Sequence, residues 1–183
     1  MSNLKQSFEK ETVKKLQDKM KIKNPMAVPR LKKIVVNAST KDYLSDKKNI
    51  EKAREDLALI TGQKPKTAKA RISVSTFKLR EGDEIGLVVT LRGSRMYDFF
   101  EKLVTIVFPR VRDFNGVDDK AFDGRGNLSI GFTENTVFAE IDPGKVDKIR
   151  SLQITLVTNA GDNQKGRMLL EEMGVPFKKG GSL

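Results

Sequence analysis

Apolar residues along the chain recur with two periods, and the alternation between those periods outlines the fold. Leu4, Phe8, Thr12 with Val13, Leu16 and Met20 fall at helical spacing, which predicts an amphipathic helix over 3–20 with a strongly basic outer face. Asn24-Pro25 and Val28-Pro29 close it. From Leu31 to Asn37 the period drops to two: Ile34 and Val36 point one way, Lys33, Val35 and Asn37 the other. Helical spacing returns over about 46–61, with Ile50, Ala53, Leu57 and Ile60 as the apolar stripe, Ser45 or Asp46 as the cap and Gly62 as the stop. A short strand is expected near Lys66 to Ala68. The clearest strand is Ile85 to Arg92, with Ile85, Leu87, Val89 and Leu91 on one face and Gly86, Val88, Thr90 and Arg92 on the other.

A third helix is predicted to start at a Ser94 cap, to present Met96, Tyr97, Phe100, Leu103, Val104 and Val107, and to end at Pro109. Residues 110–150 are rich in Gly and Asp and only weakly periodic, with one short strand at Asn127 to Phe132. Leu152, Ile154 and Leu156 oppose Gln153, Thr155 and Val157 in a further strand, and a last helix spans about 163–173 before Gly174 and Pro176. The tail, with its Lys178-Lys179 and Gly pair, is expected to be mobile over about 178–183, or from as early as Phe177. No repeat or long linker divides the chain, so the expectation is a single domain over 1–183. Two of the strands flank a basic loop instead of a helix. The fold class is therefore α+β: a mainly antiparallel sheet with helices on one face and the other face left for a partner.

Charge sharpens this picture. The 35 Lys/Arg against 24 Asp/Glu give a net +11, but the first 80 residues hold 21 against 8, a net of +13. The remainder holds 14 against 16, a net of −2. The excess is densest in the 24 residues from Leu57 to Arg80, where Lys64, Lys66, Lys69, Arg71, Lys78 and Arg80 meet no acid. Such an asymmetry points to a polyanion met by one part of the molecule. With no Cys and no His, Cys/His zinc sites, thiol nucleophiles, disulfides and imidazole acid/base chemistry are excluded. No apolar run approaches the roughly 20 residues of a membrane span. The charged first 20 residues are unlike a secretory signal, so a cytoplasmic location is expected.

Catalytic readings are thin. The stretch FDGRGNLSIG, Phe122 to Gly131, lacks the Gly-Lys-Ser/Thr of a phosphate loop and reads as a turn with an exposed Arg125. Asp118-Asp119 and Glu171-Glu172 are adjacent acids that point apart. Asp118, Asp119, Asp123 and Asp142 match no calcium-loop spacing. Ser73 and Ser75 near Lys69 and Lys78 form a Ser–Lys dyad only on paper, since nothing nearby supplies an oxyanion hole. The stretch Thr67 to Gly82 suits RNA better: its cations neutralise phosphates and its hydroxyls can donate to them. Phe77 within it either stacks on a base or packs into the core. No cofactor and no metal are expected.

The blocks NPMAVPRLKKIVVN (Asn24 to Asn37), ITGQKPKTAKARISVSTFKLREGDEIG (Ile60 to Gly86), VTLRGSRMYDFFEKLVTIVFPRVRDFNG (Val89 to Gly116), FDGRGNLSIGFTENTVFAEID (Phe122 to Asp142) and GVPFKK (Gly174 to Lys179) carry a likeness. In this order the chain resembles, nearly end to end, the bacterial L-five family of large-ribosomal-subunit proteins. The resemblance implies a structural protein, not an enzyme, that attaches 5S rRNA to the large subunit in the central protuberance. It also implies contacts with 23S rRNA, neighbouring large-subunit proteins, the peptidyl-site tRNA and protein thirteen of the small-subunit head, and a ribosome-bound location. On this chain the family's RNA-facing positions fall on Asn37, Gln63, Thr90 and Arg92, with Lys33 and Lys64 counted among the 5S-binding set. Its tRNA-facing loop falls on Lys69 to Arg80, with Lys69, Arg71, Ser73, Ser75, Phe77, Lys78 and Arg80 as the facing residues. That loop is expected to project, with nothing to tie it down, and to order only against RNA.

Two departures stand out. ASTKDYLSDKK, Ala38 to Lys48, replaces a Gly-containing segment of the family. Glu84 stands where proline is common, so Glu81, Asp83 and Glu84 place three acids at the base of the basic loop, where they orient it or weaken its RNA contact. The rival class is a free-standing RNA-binding regulator or chaperone using the same basic surface, separable by whether the protein stays with large subunits in high salt. An enzyme is disfavoured by the missing His and Cys and by the lack of a motif.

Overall fold

The computed structural model describes residues 12–39, 47–144 and 149–178. The elements in chain order are α1 (Val13–Met20), β1 (Leu31–Ser39), α2 (Lys47–Thr61), β2 (Lys66–Lys69), β3 (Glu84–Leu91), α3 (Gly93–Lys102), β4 (Leu128–Phe132), β5 (Leu152–Thr158) and α4 (Asn163–Glu172). The strands form one antiparallel five-stranded sheet in the order β2-β3-β1-β5-β4, so the class is α+β. The expected first half of the N-terminal helix and the Ser45 or Asp46 cap lie outside the described residues.

The alternation expected from the sequence is the alternation of burial. Ile34, Val36 and Ala38 of β1, Leu87, Val89 and Leu91 of β3, and Leu152, Ile154 and Leu156 of β5 are all buried, and Val35, Asn37, Val88, Thr90, Gln153 and Thr155 between them are half-exposed or exposed. The expected alternation fails at the start of β3, where Ile85 is half-buried and Gly86 is buried. Each large apolar side chain taken from water in this way contributes about 1.5–3 kcal/mol before entropy.

The chain divides into two compact units. One comprises the chain up to Ile34, Leu91–Ile130 and Thr155 onward; the other comprises Val35–Thr90 and Gly131–Ile154. In the second, Ile50, Ala53, Leu57 and Ile60 of α2 are buried, and Gly62, at φ +65°, ends the helix in a left-handed conformation that a Cβ would disfavour. Two long-range polar bonds fasten α2. Arg54 Nη2 donates to Thr67 Oγ1 at 3.0 Å, and Arg150 Nη1 meets Asp56 Oδ2 at 3.0 Å.

In the first unit, α1 is joined to α4 by a Lys19–Glu172 ion pair, which raises the Lys19 pKa through the hydrogen bond to Glu172. Two expectations about α3 are corrected here. Ser94 does not cap it: Gly93, at φ +61°, turns the chain into the helix one residue earlier, and Arg92 takes the cap position without a side-chain bond. Pro109 does not end the helical path either. A π-helical turn over Leu103–Val107, closed by Phe108 N–H donating to the Leu103 carbonyl, widens the helix before a last short turn, Phe108–Arg110. A regular turn would press the proline ring on the carbonyl four residues back, and the wider one relieves that conflict.

The FDGRGN segment is the turn that the sequence suggests, and it is heavily bonded. Asp123 Oδ1 accepts from the backbone N–H of Arg125 at 2.8 Å and of Asn127 at 3.1 Å, and Asp123 Oδ2 accepts from Asn127 Nδ2 at 2.6 Å. Thr158 Oγ1 donates to the Gly126 carbonyl at 2.8 Å, and Gly126 N–H donates to Asn163 Oδ1 at 3.1 Å. Gly126 stands so close to α4 that a Cβ on Gly166 would lie 2.6 Å from the Gly126 carbonyl oxygen.

The tail is corrected in part. Phe177 stacks on Phe122 with centroids 5.9 Å apart, and Lys178 N–H donates to the Val117 carbonyl at 3.1 Å, so these two residues are held. Residues 179–183 lie outside the described residues.

Candidate nucleic-acid interface

The sheet face left by the buried set is built, in the second unit, from the off-beat positions of four strands. Val35 and Asn37 of β1 and Val88 and Thr90 of β3 are half-exposed, and Gln153 of β5 is exposed. The β2–β3 register pairs Lys66 with Val88 and Thr67 with Leu87. Lys66 therefore joins this face, whereas Thr67 turns to the helix side and receives Arg54. Gln63 is brought to β3 by the turn after α2: the Thr61 hydroxyl donates to the Leu57 carbonyl at 2.7 Å and lies 3.0 Å from the Gln63 carbonyl, and Gln63 Nε2 donates to the Thr90 carbonyl at 3.4 Å. Two residues proposed from sequence, Gln63 and Thr90, thus meet. Lys64, next along, is exposed. In the first unit, Lys33 is half-buried in β1, and Arg92 is exposed where the chain leaves β3.

The basic loop departs from its expected character, because it closes on itself. Ala70 is buried, its N–H donates to the Asp83 carbonyl at 2.8 Å, and its carbonyl accepts from Gly82 N–H at 3.0 Å. Val74 and Leu79 pair across the loop through bonds of 2.9 and 3.1 Å, around a short 3-10 turn at Ser75–Phe77 and a left-handed Lys78 at φ 52°. Asp83 Oδ2 accepts from Arg80 N–H at 2.8 Å, and Ser73 Oγ accepts from Glu81 N–H at 2.9 Å. Of the two roles open to the three acids, Asp83 takes the orienting one. Ser73 is engaged as an acceptor for the loop backbone. Outward go Lys69, Arg71, Ser75, Lys78 and Arg80, all exposed, together with Ile72 and Phe77, which are 73 % and 61 % exposed. The core alternative for Phe77 is thereby removed.

The adjacent acids Asp118 and Asp119 are engaged in bonds within the fold. Asp118 accepts from Lys120 N–H at 3.0 Å, which together with Lys178 nearby holds its pKa below the ordinary value, and Asp119 pairs with Arg167 at 3.0 Å. No cluster of acidic residues among the described residues could hold a metal ion. The Asp56–Arg150 pair escaped the sequence reading, and no local pattern announces it because its partners are 94 residues apart. Burial pushes the Asp56 carboxyl up by more than the Arg150 guanidinium draws it down. Arg150 N–H also donates to Asn135 Oδ1 at 3.3 Å, which ties the segment before β5 to the short 3-10 turn at Asn135–Val137.

Comparison with known proteins finds likeness along nearly the whole chain. The family model for ribosomal protein L5 matches residues 24–80, and the model for the C-terminus of the same ribosomal protein family matches residues 84–177. The large ribosomal subunit protein uL5 of Desulfotalea psychrophila is 51% identical over 179 residues, covering 98% of this chain and all of that protein. Its counterpart in Anaeromyxobacter sp. strain K is 48% identical over 97% of this chain and 99% of that protein. That of Syntrophomonas wolfei is 47% identical over 97% of this chain and 100% of that protein.

Proposed function

Since the chain belongs to the L5 family of large-ribosomal-subunit proteins, we propose that its off-beat sheet face binds 5S rRNA and that its basic loop reaches the peptidyl-site tRNA. The coarser role is that of the family: a structural constituent of the large ribosomal subunit, bound to the ribosome among ribosomal RNA and neighbouring proteins. No helix among the described residues is long and apolar enough to cross a membrane.

The observation that carries the finer reading is a sheet face on which the amides of Asn37, Gln63 and Gln153, the hydroxyl of Thr90 and Lys66 stand beside Val35 and Val88, in the same unit as the acid-free cationic stretch. Backbone phosphates are held by cations and hydroxyls, and base edges by amides, so such a face can both position an RNA and read it. Lys64 belongs to the same reading, and Lys33 and Arg92 enter it singly, on strand alternation and family likeness. The loop supports its separate assignment by presenting exposed cations beside exposed Ile72 and Phe77, a surface suited to a phosphate backbone with bases to stack on. Contacts with 23S rRNA and with protein thirteen of the small-subunit head follow the family likeness.

The test is a gel-shift titration with 5S rRNA. Arg92→Ala removes charge-assisted bonds and is expected to cost about 1–3 kcal/mol of binding. With about six phosphates neutralised, log K is expected to fall against log[salt] with a slope of roughly −4 to −5. Unchanged affinity in the variant together with a slope near zero would overturn the reading.

A further inference from the structure

A cleft of about 420 Å³ opens in the second unit where β1, β5 and β4 run side by side. Its lining includes Asn37, Gly131, Thr133, Ser151, Leu152 and Gln153. One lining residue leaves space in it. Gly131 occupies an exposed position beside buried Phe132, and a Cβ placed on it would meet nothing within 4 Å. Its φ lies outside the left-handed region, so glycine is not required there by the backbone. What its bareness provides is space, at a position where most strand residues would fill it.

The chemistry of the lining is selective. Asn37 and Gln153 each carry a carboxamide that donates and accepts at once, Thr133 and Ser151 carry hydroxyls, and Leu152 supplies an apolar contact. Among the described residues no Lys or Arg lines the cleft, although Lys64 and Lys66 stand exposed elsewhere in the same unit. A phosphate is matched by cations, whereas the edge of a nucleobase presents donors and acceptors together and is matched by amides. RNA is read in sequence mainly where bases are unstacked and splayed out. The volume falls within the roughly 300–1,000 Å³ of ordinary ligand pockets.

We infer that this cleft receives one unpaired nucleobase of the rRNA bound to the sheet, with Gln153 and Asn37 on its polar edge and the bare backbone of Gly131 leaving room for it. The inference rests on the 5S rRNA reading above and assigns that surface a base-reading pocket distinct from its phosphate contacts.

Gly131→Leu fills the cleft without backbone strain, and Gln153→Ala removes an exposed amide whose loss cannot unfold the chain. Both variants are titrated against 5S rRNA at several salt concentrations, beside Arg92→Ala. Each is expected to bind on the order of tenfold more weakly with the salt slope unchanged, because no phosphate contact is lost. Chemical probing of the bound RNA is expected to show one unpaired nucleotide protected by the unaltered protein and reactive again with Gly131→Leu. Wild-type affinity in both variants, with Arg92→Ala still weakened, overturns this inference and leaves the reading standing. A weakening that arrives with a shallower salt slope also overturns it, because the cleft would then hold a phosphate. Failure of the unaltered protein to bind 5S rRNA removes the reading and this inference with it.

Discussion

The turn from Phe122 to Gly131 and the loop from Lys69 to Arg80 look alike as sequence, since both are polar, cation-bearing and weakly periodic. Folding uses them in opposite ways. The turn directs its polar groups inward: Asp123 takes three donors, Gly126 is bonded from both sides, and Arg125 is left at the surface. The loop closes its backbone on itself and directs its cations outward. Polar groups that satisfy the chain's own backbone build the scaffold. Cations that pair with no carboxylate among the described residues can serve a partner.

That contrast breaks first at Gly166. A methyl there would sit 2.6 Å from the Gly126 carbonyl oxygen and 2.7 Å from its Cα, atoms of a backbone that is itself fixed by hydrogen bonds. Gly166→Ala is expected to destabilise the protein by about 3 kcal/mol or more, above the gain in helix propensity that alanine brings at an open helical site. Denaturant unfolding measures it. A stability within 0.5 kcal/mol of the unaltered protein, roughly what a neutral surface change gives, would mean that the close approach is not part of the scaffold.

Asp123 sharpens the contrast at a smaller scale. Its loss leaves three donors to water, and Asp123→Ala is expected to cost about 1–2 kcal/mol. Burial pushes its carboxyl up, but the side-chain amide of Asn127 and the backbone N–H groups of Arg125 and Asn127 outweigh burial and hold the pKa below the ordinary 3.8. A depressed native pKa means that the unfolded chain binds the proton first. The stabilisation is therefore complete above pH 3.8 and lost as the pH falls through the lower native value. Unfolding followed against pH is expected to show a shallower acid limb in Asp123→Ala. A constant offset between the two proteins at every pH would contradict this.

What could be read from the sequence follows the range of the forces involved. The strand faces were legible because one buried side imposes a period of two, and this put Asn37, Thr90 and Gln153 on one surface without any knowledge of their neighbours. The cationic stretch was legible because charge adds up along the chain. Contacts between distant segments were not: Gly126 against Gly166 and Asp56 with Arg150 leave no local trace. The π-turn before Pro109 could not be foreseen, because a proline marks a conflict without saying whether the helix stops or widens. Phe77 stood between core and surface until Val74 and Leu79 paired across the loop and left it outside. The cleft at Gly131 was invisible for a related reason, since a missing side chain makes a pocket only where neighbouring strands wall it in.

The smallest expected effect, at Asp83, separates the two segments most sharply. Its carboxylate is the counterpart in the basic loop of Asp123 in the turn, and it accepts the Arg80 N–H at 2.8 Å. In the loop, however, it serves one donor in place of three, and the loop keeps its other closures when the carboxylate is removed: Ala70 N–H to the Asp83 carbonyl, Gly82 N–H to the Ala70 carbonyl, and the Val74–Leu79 pair are all backbone bonds. Asp83→Ala is therefore expected to lower global stability by no more than about 0.5 kcal/mol, as a substitution away from the core does. The Arg80 amide loses its acceptor, so hydrogen exchange there is expected to speed up while the amides of Leu79 and Gly82, which bond to other groups, keep their protection. A loss of stability as large as that of Asp123→Ala would make the loop part of the scaffold and end the distinction between the two segments. Unchanged exchange at Arg80 would show that the carboxylate orients nothing, and the role of the acids at the loop base would pass to electrostatic opposition of the cations above them.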